Sequence, residues 1–151
     1  MVERMKKLLA VLFSFMTLTT ATSASTVARS TVADAVSVQQ NDYVEILYFH
    51  GKQRCATCIA IEKHTKEILQ KEYADELKKG KVKFRAVDIS KKENEALADK
   101  YEVTWSSLFV VKHGKKSEIK ENMTNFAFSN ARKKPDVFKS GLIKKIDQLL
   151  K

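Results

Sequence analysis

YVEILYFHGKQRCATC, residues 43–58, sets the fold. Tyr43 to His50 is a nearly continuous apolar run rich in β-formers. Its length suits a strand buried on both faces, the signature of a central strand in a parallel sheet. Gly51-Lys52-Gln53-Arg54 breaks the run. From Cys55 to about Leu77 the period turns helical. Cys58, Ile61, Thr65, Ile68 and Leu69 recur at spacings of three and four, and Tyr73 and Leu77 extend the stripe. The Cys55-Ala56-Thr57-Cys58 motif therefore falls at a helix start, directly after a buried strand.

Downstream, Gly80 is a natural stop for that helix. Lys81 to Asp88 (KVKFRAVD) reads as a strand with Val82, Phe84 and Ala86 turned inward. A strand–helix–strand unit predicts two parallel strands joined by a crossover helix. Glu93 to Tyr101 reads as a short helix with Ser90 as its cap, and Leu108 to Val111 as another buried strand. His113-Gly114-Lys115-Lys116 turns the chain into Ser117 to Glu121, a hairpin. Thr124 is placed to cap a helix over Asn125 to Arg132. Pro135 opens a last helix running to Leu150, with Leu142, Ile143, Ile146, Leu149 and Leu150 as its apolar stripe. The order β-α-β-α-β-β-α predicts an α/β domain over residues 43–151, with a central mixed sheet and helices on both faces.

Upstream, Arg4, Lys6 and Lys7 precede an apolar run of 11 residues, Leu8 to Leu18, and then small polar residues to Ser25. This is the layout of a secretory signal peptide over residues 1–24. A spanning helix needs roughly 20 apolar residues, so no permanent membrane anchor is expected. Residues 25–42 read as a linker. Export, with a periplasmic destination, is the expected localisation. The chain has 28 basic and 18 acidic residues, and residues 1–24 hold three and one of these, so +10 becomes +8 after removal. The charges fall in mixed helical stretches such as Glu62, Lys63, Lys66, Glu67, Lys71 and Glu72. They read as a solvated face, and no nucleic-acid partner is expected.

Both cysteines of the chain lie within four residues of one another. Structural disulfides of exported proteins usually close long loops, and a two-residue spacer closes almost nothing. The pair therefore points to chemistry. Thiol–disulfide exchange needs one thiolate to attack and a second thiol to release the mixed disulfide. At a helix start the first sulfur faces free N–H groups and the positive end of the dipole, which favours its anion. Cys55 is the expected nucleophile and Cys58 the expected resolving thiol. Lys52, Arg54 and protonated His50 would favour the thiolate further if they lie close.

YFHGKQRCATC resembles the active-site segment of thioredoxins, and YEVTWSSLFVVKHGK resembles their later segment, with the loop facing the cysteines and the hairpin. The resemblance runs from Tyr43 to Lys151 in order of elements and is specific mainly at the cysteines. It implies a thioredoxin fold and a redox-active disulfide in a thiol–disulfide oxidoreductase or electron-transfer protein. Its partner would be a redox protein or a protein disulfide, and the chain a monomer. YFHGKQRCATCIAIEK, VTWSSL and NFAFSNARKKP are also similar to the ArsF-like family. Those are small exported thioredoxin-like proteins named as subunits of a nitrophenyl-compound nitroreductase and linked to arsenic-resistance gene sets. No flavin site or nicotinamide fingerprint accompanies the similarity, and no cofactor is expected.

Three positions depart from the thioredoxin pattern. Ser106 stands where the loop facing the cysteines has a cis-proline, and a cis bond before a non-proline residue costs roughly 2.5–4 kcal/mol, so a trans bond is expected. Arg54 replaces an aromatic residue before Cys55. Tyr48 and Phe49 lie where a strand aspartate assists proton transfer, and Glu45, the strand's only acid, is further away. A dedicated partner or a modified chemistry then fits better than fast general disulfide reduction. Without the proline there is room for a soft ion, and a copper(I), zinc or arsenite module on the same two thiolates is the alternative function. His50 is the best-placed third ligand. His64 is six residues, or about 600° of helix, beyond Cys58, and His113 reads as a turn residue. No resident metal site is assigned. Trp105 and Ser107 are candidates for the substrate surface. Phe126 and Phe128, two apart, cannot share one helix face; ordinary packing is the expectation, with one packed under the hairpin and the other in a partner patch as the alternative.

Overall fold

The structure, a computed structural model, describes residues 42–151. The signal peptide expected over residues 1–24 and the linker expected over residues 25–42, apart from Asp42, lie outside the described residues.

Strand β1 (Tyr43–His50) is buried along its inner six residues, because it is covered on both faces. It pairs in parallel with β2 (Val82–Asp88) and antiparallel with β3 (Ser107–His113), and β3 pairs antiparallel with β4 (Glu118–Asn122). The order is β2-β1-β3-β4. Successive β1 side chains alternate between two cores. Val44, Ile46 and Tyr48 join Leu108 and Val110 under helices α1 (Ala56–Glu72), α4 (Thr124–Asn130) and α5 (Pro135–Leu150). Leu47 and Phe49 join Val87, Phe109 and Val111 on the other face, beneath Leu97 and Tyr101 of the segment around α3 (Glu95–Lys100). A parallel βαβ unit followed by an antiparallel hairpin and a returning helix is the thioredoxin fold.

Several local expectations are corrected. The helix after Cys55 does not run unbroken to Leu77. It stops at Glu72, and a separate α2 (Ala74–Lys78) follows. At the break, Tyr73 sends its hydroxyl to Asp147 at 2.7 Å and to the Ile143 carbonyl at 3.2 Å, which pins α1 to α5. Gly80 ends the segment with φ +68°, a conformation that suits glycine. Ala86 is exposed, and Val87 is the buried residue late in β2. This strand is a sheet edge. Ser90 bonds the Asp88 carboxylate at 2.7 Å instead of capping, and a 3-10 turn at Lys92–Asn94 leads into α3. Thr124 does not cap either. Its hydroxyl accepts the Leu108 N–H at 3.0 Å, and the Asn122 side chain accepts the Thr124 N–H. Pro135 opens α5 as expected.

His113 is not a turn residue. It ends β3 with its ring stacked on Tyr43 at 4.4 Å, Nε2 facing Glu45 at 3.1 Å and Nδ1 facing Glu118 at 3.3 Å. Glu45 also pairs with Arg85 at 3.1 Å. These contacts explain how a carboxylate is buried on a central strand, at its end away from the cysteines.

Candidate redox site

β1 delivers the chain to His50, and Gly51–Arg54 carry it to the start of α1. Cys55 is the N-cap, with extended φ −75° and ψ 164°, and its sulfur accepts the Cys58 N–H at 3.2 Å. No acidic residue lies in the first turn of α1. The free N–H groups and the dipole of this 17-residue helix therefore act on the sulfurs with no carboxylate to offset them.

Cys55 is exposed and Cys58 is buried; both are free thiols. Their sulfurs lie 2.7 Å apart. A disulfide spans about 2.05 Å, so closing the bond requires movement of less than about 1 Å. The Cys58 thiol donates to Ser106 Oγ at 3.8 Å, so the loop expected to face the cysteines does so. No cis peptide bond occurs among the described residues, and the Trp105–Ser106 bond is trans.

Burial works against ionisation of Cys58. Hydrogen bonds involving Cys55, Ser106 and Tyr48 outweigh it and hold this thiol below its ordinary range.

Beneath the sulfurs lies an arrangement that sequence reading missed. The fully buried Tyr48 donates its hydroxyl to the Cys58 carbonyl at 3.0 Å. Burial, and then the Cys58 sulfur, push the Tyr48 phenol well above its ordinary range. Arg54 reaches the same carbonyl at 3.5 Å, lies 5.6 Å from the centre of the Tyr48 ring and pairs with Glu62. The cation expected to favour the thiolate if close is thus found with two partners, the Cys58 carbonyl and Glu62. Its guanidinium is turned inward and committed to Glu62. Glu62 in turn is not part of a solvated face, since its side chain is 13% exposed between Arg54 and Lys66. A tyrosine ten residues before a cysteine, on an inward strand position, was the available signal.

The remaining expected residues are spread out. His50 is half-buried, with Nδ1 against the Gly51 carbonyl at 3.0 Å, and Lys52 is exposed. His64 faces Glu67 at 3.0 Å. No group of three or more His, Cys, Asp or Glu side chains converges as a metal site among the described residues. Two sulfurs are the donor set on offer. Trp105 is 55% exposed beside Ser106, and Ile59 is 54% exposed beside Cys58. Ser107 is buried and donates to the Trp105 carbonyl. Phe126 stacks on Phe138 and Phe128 tilts against Trp105, so both phenylalanines have aromatic neighbours. An open cavity of about 750 Å³ beside Trp105, between the Lys100–Val103 segment and β4, includes neither sulfur.

No protein-family profile matches the chain, and no curated protein matches it. Solved structures do. A thioredoxin from Thermus thermophilus is 14% identical, with 71% of this chain and 73% of that one covered and a TM-score of 0.45. Thioredoxin-2, a component of malaria parasite protein secretion machinery, is 23% identical, with coverage of 69% and 84% and a TM-score of 0.43. Mitochondrial thioredoxin 3 from Saccharomyces cerevisiae is 20% identical, with coverage of 72% and 80% and a TM-score of 0.42.

Proposed function

We propose that this protein is an exported, periplasmic thiol–disulfide oxidoreductase or electron-transfer protein that cycles a Cys55–Cys58 disulfide. The observation that carries the reading is one exposed sulfur at a helix N-cap, 2.7 Å from a buried sulfur. In the reducing direction the Cys55 thiolate attacks a partner disulfide. One partner sulfur leaves as thiolate, and a mixed disulfide forms through Cys55. The Cys58 sulfur then attacks Cys55 Sγ, forms the internal disulfide and expels the second partner sulfur. Two electrons pass to the partner, and the reverse sequence returns them. The exposed Ile59 and Trp105 flank the point of attack and suit a protein partner more than a small enclosed substrate.

The narrower ArsF-like reading rests on the quoted segments around Cys55, Trp105 and Asn125. It would make the partner a reductase subunit whose cofactor lies elsewhere.

Trapping tests the assignment. Cys58→Ser should accumulate a mixed disulfide through Cys55, and Cys55→Ser should not. Equal trapping by both variants would remove the assigned roles. Stoichiometric copper(I) or arsenite uptake by the reduced protein without disulfide turnover would move the function to the soft-ion alternative.

A further inference from the structure

A buried tyrosine under a resolving cysteine needs a reason beyond packing. Tyr48 is fully buried, so its hydroxyl must find partners inside the protein. Its present acceptor, the Cys58 carbonyl, has a second side-chain donor in Arg54 at 3.5 Å. The phenol can therefore leave that carbonyl without stripping it of side-chain hydrogen bonding. The phenol thus stands against the backbone of the residue that carries the resolving sulfur, and burial and then that sulfur push it up. The charged groups gathered here are Arg54 and Glu62, with the His50 ring 5.9 Å from that of Tyr48. Among the described residues no carboxylate hydrogen-bonds either sulfur, and Glu62 pairs with Arg54.

We propose that Tyr48 is a positioning residue for the resolving step, moving its hydrogen bond from the Cys58 carbonyl to the Cys58 sulfur as that sulfur becomes an anion. Arg54, fixed by Glu62, keeps the carbonyl served and orients the phenol. Tyr48 remains protonated throughout. As Cys58 attacks Cys55 Sγ, its proton ends on the departing partner thiolate, so the balance of the exchange is unchanged. The inference deepens the redox reading of the same site and rests on it. It adds that a neutral donor stabilises the buried anion where no carboxylate is available to take the proton.

The test uses the full chain carrying Cys55→Ala, which isolates the Cys58 thiol, with thiolate absorbance followed against pH. A hydrogen bond to a charged group is strong enough that adding Tyr48→Phe should cut the thiolate fraction at a fixed low pH by about tenfold. Arg54→Gln should reduce it in the same direction, and serves as the second variant if Tyr48→Phe does not fold. With the native cysteines restored, Tyr48→Phe should also shift the equilibrium with glutathione toward the internal disulfide, because the reduced form loses stabilisation. Identical titration curves with and without the hydroxyl, in folded protein, would overturn the inference. An unaltered curve for Arg54→Gln would do so if only that variant folds. Because the titration involves no partner, it reads the Tyr48 effect even if the redox reading fails in the trapping experiment.

Discussion

Gly141→Ala should destabilise the protein although it places a better helix former inside α5. Propensity alone favours Ala over Gly by about 1 kcal/mol in a helix interior. At this position a Cβ would lie 2.2 Å from Phe126 Cζ and 2.6 Å from its Cε1. Carbon atoms in contact stay about 3.5–4.0 Å apart, so the ring has to move by more than about 1 Å. Phe126 stacks at 6.3 Å on Phe138, which is fully buried and does not yield. If the ring stays, overpacking costs about 1–3 kcal/mol. If it swings out, the protein loses part of the 1.5–3 kcal/mol, roughly, that burying a Phe contributes. Either route costs roughly 2 kcal/mol against a gain of about 1, leaving a net loss of about 1 kcal/mol. The assay is a double-mutant cycle by denaturant unfolding, with the single tryptophan as probe. In a Phe126→Ala background the obstacle is gone, and Gly141→Ala should stabilise by about 1 kcal/mol. The sign of one substitution thus depends on the other. Equal stabilisation in both backgrounds would refute the close approach of α4 and α5.

Thr124→Val should cost about 1–3 kcal/mol in unfolding experiments, because it leaves the Leu108 N–H at the start of β3 without its acceptor; Thr124→Ser should restore most of it. Glu67 is held at about 2 by hydrogen bonds from Lys139 and then His64, so the stabilisation is complete above the usual carboxylate range and is lost as pH falls toward 2. A carboxyl titration by NMR should show this low value, and Lys139→Met should move it upward; an unmoved value would dissociate it from Lys139. With limiting alkylating agent, mass mapping should find Cys55 modified before Cys58, since one sulfur is exposed and the other buried; equal labelling would contradict the geometry.

What could be read from the residues followed from periodicity. The apolar run of β1, the three-and-four spacing of α1 and α5, and Pro135 at a helix start each depend on near neighbours along the chain, so sequence order exposes them. The placement of Cys55 and Cys58 at the strand–helix junction followed from the same signals. Most of the misses depend on partners distant along the chain, although Ser90 is claimed by Asp88 only two residues before it. Tyr73 stands at a helix break with its hydroxyl on Asp147 and Ile143, 70 or more positions on. Thr124 serves Leu108 and not its own helix. His113 is a strand-end residue because Glu45 and Glu118 converge on it from the two neighbouring strands. At the site, Arg54 reads as a free cation until Glu62, one helical turn past Cys58, is seen to claim it. Tyr48 reads as core packing until the Cys58 carbonyl is found at its hydroxyl.

Equilibration of the full chain with graded mixtures of reduced and oxidised glutathione addresses the sulfur pair most directly. The native protein should convert reversibly between dithiol and internal Cys55–Cys58 disulfide, with one midpoint from either direction and none of the internal bond in Cys55→Ser or Cys58→Ser. Thiols that stay reduced across the whole series, or a disulfide that forms and never reopens, would contradict a redox role for these two residues.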